Sequence, residues 1–158
     1  MSANPKFKRG AAVGLGASVL ALALPVVALW EGLSLTPYRD PVGIMTVCYG
    51  ETAGEMREFT AAECKTKLHE SLAAHGADIA ACLPAGLPEH VQAASLSFAY
   101  NVGAQAFCGS TMRRKLAEGD LLGACAELSR WTYAKGKQLP GLVKRRAAER
   151  AMCEGRKT

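Results

Sequence analysis

Three residues with side chains suited to one kind of chemistry stand close together: Glu31, Asp40 and Thr46, spaced E-x8-D-x5-T. With 11 Glu, 3 Asp and 8 Thr in 158 residues, about 0.01 such matches are expected by chance. Glu31 follows an apolar stretch ending in Trp30, where desolvation would favour a protonated carboxyl. Asp40 opens the polar turn Asp40-Pro41-Val42-Gly43, where a carboxylate stays ionised. Two carboxyl groups in divergent environments can cleave a glycosidic bond, one protonating the leaving oxygen and the other handling a water or the sugar. Thr46 can present a hydroxyl to that water. The plainer reading is a solvated glutamate and a turn-capping aspartate.

The elements that must position this trio begin with Gly10 to Trp30, 21 residues without a charge, preceded by Lys6, Lys8 and Arg9. As one helix it would extend roughly 31 Å, the thickness of a hydrocarbon core. Ten of its positions are Gly, Ala or Ser, so it partitions weakly into lipid. It raises the mean hydropathy of the chain to +0.05. Three readings stand open: a cleavable signal peptide with Val26-Val27-Ala28 as the cleavage site, a permanent anchor, and a tether that inserts and later leaves. Gly10, Gly14 and Ser18 form a small-residue stripe suited to close helix contact. The basic residues on its N-terminal side place the rest of the chain outside the cytoplasm.

The remaining 128 residues, Glu31 to Thr158, are enough for one core. A hydrophobic share of 49% against 21% charged excludes a disordered or collagen-like chain. All six cysteines (Cys48, Cys64, Cys82, Cys108, Cys125, Cys153) lie in this exported part, where disulfides persist. Six allow 15 pairings, among which spacing does not choose. The chain has no CxxC or CxxH spacing, and His69, His75 and His90 are scattered, so zinc is not indicated. The pattern predicts an α+β domain: a small hairpin around Asp40–Gly43, then helices. Thr60-Ala61-Ala62-Glu63 is a capping box for a helix toward Ala81. A second helix follows Pro88 and stops at Gly103, Ser110 and Asp120 cap two short ones, and a last helix runs from Pro140 or Leu142 to before Gly155. The basic run Lys144, Arg145, Arg146, Arg150, Arg156, Lys157 reads as a solvated helix face or as a grip on anionic polymer. The net charge of +5 points no further, since nucleic acid is an improbable partner for an exported body.

Four ordered motifs resemble the phage-type lysozymes, glycoside hydrolase family 24, and within them the endolysins carrying a signal-anchor-release segment. They are Trp30-Glu31-Gly32-Leu33 with Pro37-Tyr38-Arg39-Asp40 and Thr46-Val47-Cys48-Tyr49-Gly50; Ser97-Phe98-Ala99-Tyr100-Asn101-Val102-Gly103; Ser110-Thr111 through Gly119-Asp120; and Arg130-Trp131-Thr132-Tyr133-Ala134 with Gly136-Lys137, Gly141-Leu142 and Arg145-Arg146. The resemblance implies a lysozyme-like fold, residues 1–30 as the tether and 31–158 as the catalytic domain. It implies a muramidase that cuts the β-1,4 bond between N-acetylmuramic acid and N-acetylglucosamine in peptidoglycan. Glu31 would be the general acid, with Asp40 and Thr46 activating water, and no metal or organic cofactor. The monomeric enzyme would wait on the inner membrane, held inactive through residues 10–30, until a holin depolarises it and the body is released into the periplasm. The small-residue face of the tether would then pack on the body and carry Glu31 into place.

Two positions depart from the family pattern. Glu51 stands where a histidine usually follows the glycine, an extra carboxylate that would perturb Asp40 or pair with a nearby base, and Lys135 interrupts a Gly-Gly turn. For the cysteines we expect Cys48–Cys64, Cys82–Cys108 and Cys125–Cys153. The rival functions are a non-catalytic exported peptidoglycan-binding module and a secreted disulfide-rich domain with no glycan role.

Overall fold

The computed structural model of the chain describes residues 14–157. Helix α1 (Ala17–Glu31) leads into a hairpin of β1 (Ser34–Arg39) and β2 (Met45–Cys48). Helices α2 (Ala61–Ala80), α3 (Glu89–Val102), α4 (Ala104–Cys108), α5 (Thr111–Ala117) and α6 (Leu121–Glu127) follow. A single 3₁₀ turn at Leu128–Arg130, a short hairpin of β3 (Tyr133–Ala134) and β4 (Lys137–Gln138), and α7 (Pro140–Cys153) complete it. The α+β reading therefore holds; α4, the 3₁₀ turn and the second hairpin are too short to leave a period in the sequence.

Local chemistry sets the boundaries. The Thr60 hydroxyl accepts from the Glu63 amide at 3.2 Å while Glu63 accepts from the Thr60 amide at 2.7 Å, a complete capping box on α2. Ser110 and Asp120 cap α5 and α6 through the amides of Arg113 and Gly123. At Gly103 the chain takes φ +93°, which stops α3 and which a side chain would resist.

The core forms around α3, whose Val91, Ala94, Leu96 and Phe98 are fully buried beneath α1, α2 and α7. Phe98 meets the edges of Phe107 and Trp131, with centroids 6.2 and 5.1 Å away. The six cysteines form three bridges, Cys48–Cys64, Cys82–Cys108 and Cys125–Cys153. They tie the first hairpin to α2, the end of α2 to α4, and α6 to α7.

Helix α1 is an integral part of this core. Val19, Ala23 and Val27 recur every four residues and are buried against the body, joined by Leu20. Pro25 lies inside the helix; the Ala21 carbonyl it leaves without a partner is on an exposed residue, where water can satisfy it. The face that packs differs from the one expected. Gly14 and Ser18 are exposed, Ser18 donating to Glu89 Oε1 at 2.5 Å, and Gly10 lies outside the described residues. The reason is area: Val and Leu bury more apolar surface than glycine and serine do. Among the described residues no helix is long and apolar enough to cross a membrane.

Candidate active site

Glu31 is the last residue of α1, which ends because Gly32 takes φ +72° and returns its amide to the Ala28 carbonyl at 3.3 Å. Its side chain lines a cleft of about 400 Å³ with Trp30, Asn101, Leu139, Gly141, Leu142 and Arg145. A larger cavity of about 580 Å³, between α1 and the end of α7, contains none of these residues. Arg145 Nη1 donates to Glu31 Oε1 at 2.8 Å, and the Glu31 side chain is 24% exposed. The apolar surroundings expected from Trp30 are thus joined by a cationic partner reaching over from α7. On the other side, Gly50 at φ +89° lies so close that a Cβ there would stand 3.8 Å from Glu31 Oε2.

Asp40 sits at the turn of the first hairpin. Its Oδ1 accepts from the amides of Val42 at 2.9 Å and Ile44 at 2.8 Å, and its carbonyl accepts from the Gly43 amide at 2.9 Å. Gly43 has φ +85°, which this turn requires. One carboxylate oxygen is therefore committed to the turn, leaving Oδ2 for other work. Thr46 lies opposite Tyr38 on β2, is 4% exposed, and donates its hydroxyl to the Ile44 carbonyl at 3.0 Å. With that proton committed, the lone pairs of Oγ1 remain as acceptors. The hairpin thus ties both Asp40 and Thr46 to Ile44, four residues after the first and two before the second, and the chain beyond it approaches Glu31 through Gly50. Neither Asp40 nor Thr46 is part of the described lining of the Glu31 cleft.

What holds Arg145 is a buried ionic cluster. Glu149 is inaccessible to solvent and accepts from Ser97 Oγ at 2.8 Å, Arg145 Nε at 3.1 Å and Arg146 Nη1 at 2.5 Å. Arg146 also donates to the Trp131 carbonyl at 3.0 Å and to Asn101 Oδ1, and its guanidinium lies 4.9 Å from the Phe98 ring centroid. Burial pulls the proton affinity of Arg146 down and Glu149 opposes it. Arg145 and Arg146 are 4% and 1% exposed, so two members of the basic run are neither solvated nor free to grip polymer. The signal was present as the spacing Arg145, Arg146, Glu149, which brings three charges onto one face of α7.

The sequence model of the phage lysozyme family matches residues 28–149, from just before Glu31 to the buried Glu149. The chain belongs to the phage lysozyme family. A SAR-endolysin of Enterobacteria phage PA-2 is 39% identical over 158 residues, 94% of this chain and 96% of the relative. An endolysin of Escherichia coli phage FAHEc1 has the same fold, with a TM-score of 0.79 at 24% identity over 89% of this chain and 96% of that one. The active form of the P1 phage endolysin Lyz has a TM-score of 0.75 at 20% identity, over 92% of this chain and 97% of its own. Its secreted inactive form reaches only 0.53 at 16% identity, over 82% and 94%.

Both departures from the family pattern have a place in this phage lysozyme. Lys135 adopts φ +49° and Gly136 φ +75°, so the two residues between β3 and β4 make a left-handed turn with a lysine where glycine or asparagine is preferred. Glu51 makes an isolated antiparallel bridge with Val47 through two backbone bonds of 2.9 Å. Burial raises its proton affinity, opposed by Lys67 and His75 and reinforced by Glu70; these neighbours belong to α2, and Asp40 is not among them.

Proposed function

We propose that this phage lysozyme is a muramidase that cuts the β-1,4 bond between N-acetylmuramic acid and N-acetylglucosamine with inversion, and so lyses the host cell. The observation that carries the reading is Glu31 at the end of α1, facing a cleft, with one carboxyl oxygen held by Arg145 at 2.8 Å. That grip leaves Oε2, on the Gly50 side, to give its proton to the glycosidic oxygen as the bond breaks. A water accepted by Asp40 Oδ2 and Thr46 Oγ1 attacks the anomeric carbon and passes its proton to Asp40. Inversion calls for the two carboxyl groups to stand roughly 6.5–9.5 Å apart, with room for that water. No metal or organic cofactor enters these steps.

Glu31→Gln keeps the size and the Arg145 contact but has no proton to give. Clearing of outer-membrane-permeabilised Gram-negative cells should slow by about 100- to 10,000-fold. Equal clearing by the variant overturns the acid assignment.

The same reading gives the N-terminal segment, residues 1–30, a second state. Held in the host inner membrane, it keeps Val19, Ala23 and Val27 out of the core and Glu31 away from the cleft. Depolarisation by a holin then lets it leave the bilayer, and the body is freed into the periplasm. The arrangement described, with α1 packed, is nearer in fold to the active than to the inactive P1 endolysin, which supports this order of events. Gly14 and Ser18 are exposed in the packed form, so leucine at both raises lipid affinity without disturbing the core. Lysis should be delayed; unchanged timing refutes the tether.

A further inference from the structure

The outer face of α1 has no part in the reaction above. No residue from Gly14 to Trp30 carries a charge, so the side of the helix turned away from the core is as uncharged as the side that packs. Leu22 and Leu29 stand seven residues apart on that outer side, 45% and 73% exposed, with Pro25 exposed between them. A helix lying on the surface of a water-soluble core normally turns charged and polar residues outward. Leucines hold those places here, and contiguous apolar surface of this kind marks a contact.

The flanks of the helix have the opposite chemistry. On one side, the cavity of about 580 Å³ separates Leu22, Pro25 and Val26 from Arg156 and Lys157, just beyond the end of α7. On the other, a hollow of about 290 Å³ separates Ala21, Leu24 and Pro25 from Lys65 and His69, both exposed on α2. Pro25 lines both, so α1 is an apolar crest between two basic shoulders. Among the described residues, no carboxylate lines either hollow, and neither Lys65 nor Lys157 is in an ion pair. Glu154 is shared by Arg150 at 2.7 Å and Arg156 at 2.6 Å, which leaves the α7 shoulder with a net positive charge. The opposing acid is Glu89, at the N-terminal end of the crest, where it accepts from Ser18 Oγ.

We propose that the protein, with α1 packed on its core, docks peripherally on anionic phospholipid bilayers through this face. Leu22 and Leu29 enter the boundary between headgroups and acyl chains, and Lys65 and Lys157 meet the phosphates on either side. A second copy of the chain is a poorer occupant, because a two-fold contact would set basic shoulders against basic shoulders. Docking of this kind leaves Glu31 in its cleft. It is therefore distinct from the membrane-held state proposed above and does not depend on it.

The test is flotation of the full-length protein with vesicles of phosphatidylcholine alone or of equimolar phosphatidylcholine and phosphatidylglycerol. Binding should require the anionic lipid and be reversed in about 1 M salt, where charges are screened beyond about 3 Å. Each basic residue near an anionic surface is worth about five-fold in affinity, so Lys65→Gln with Lys157→Gln should weaken binding about 25-fold. Clearing of permeabilised cells should stay within about two-fold of wild type, since neither lysine lines the Glu31 cleft. Lys135→Gln with Lys137→Gln removes the same net charge from exposed positions outside both hollows and should leave vesicle binding nearly unchanged. Leu29→Ser should weaken binding about five- to ten-fold. Equal binding to neutral vesicles, no binding to anionic ones, or an equal loss from the two lysine pairs overturns the proposal. So does protein that stays with the vesicles in about 1 M salt, which would mean insertion of α1, or a lipid-free dimer that Leu29→Ser dissociates, which would mean that a second copy covers the face.

Discussion

The buried cluster beneath Glu31 makes the sharpest demand on the physics. In Glu149→Ala the carboxylate disappears from between two arginines that are 4% and 1% exposed. Arg145 keeps Glu31 at 2.8 Å and the Ser97 carbonyl at 3.3 Å, while Arg146 keeps the Trp131 carbonyl and Asn101. Neither retains the anion that faced it from within its own helix, and the Ser97 hydroxyl loses its acceptor. Removing one partner from a buried ionic group costs about 3–5 kcal/mol, because the surviving charges stay out of water. For a chain of this size, 1 kcal/mol moves the melting midpoint by about 2–4 °C, so a fall on the order of 10 °C is expected. Urea unfolding with the disulfides intact measures the free energy, and a thermal melt checks it. The control is Arg150→Ala, which breaks a pair with Glu154 at 2.7 Å whose arginine side chain is 38% exposed. That change should cost less than about 1 kcal/mol. Well below its midpoint, Glu149→Ala should also clear cells more slowly, since Arg145 is then anchored on the body only by the long bond to the Ser97 carbonyl. A loss under about 1 kcal/mol for Glu149→Ala would refute the cluster as described.

Two other changes test local chemistry. Lys135→Gly relieves a left-handed lysine at φ +49° and should stabilise the fold by about 0.5–1 kcal/mol after the added freedom of the unfolded chain is counted; destabilisation in urea would count against the turn. The capping box gives an acid-sensitive contribution, because Arg57 foremost, with the Thr60 amide, holds the Glu63 carboxyl at about 2 against an ordinary 4.5. A depressed folded value means that this contribution is present above about 4.5 and is lost as pH falls toward about 2. Glu63→Gln should flatten the stability–pH curve across that window, and an unchanged slope there would exclude the linkage.

How much of this was legible beforehand depended on the range of the interaction. The capping box at Thr60 and Glu63, the stop at Gly103 and the turn Asp40–Gly43 are complete within a few residues, so each could be read from its own letters. The trio proposed to be catalytic was legible for the same reason, as a spacing within 16 residues. Arg145 was not: it is 114 positions from Glu31, and only the packing of α7 against the end of α1 makes them partners. In the sequence it was one of six basic residues in a run and half of the Arg145-Arg146 motif, and neither pattern points to Glu31 as its partner.

The sequence by itself determined the trio, the caps and turns, the apolar N-terminal segment and the family, because all of these are local patterns or ordered motifs. Tertiary structure alone decided which face of α1 is buried, where two of the arginines are hidden, and that Glu51 turns toward α2 instead of Asp40. Those outcomes depend on which surfaces bury the most apolar area and on which charges find partners once water is excluded. Such choices are made between segments far apart in the chain, and no window of sequence contains both sides of them.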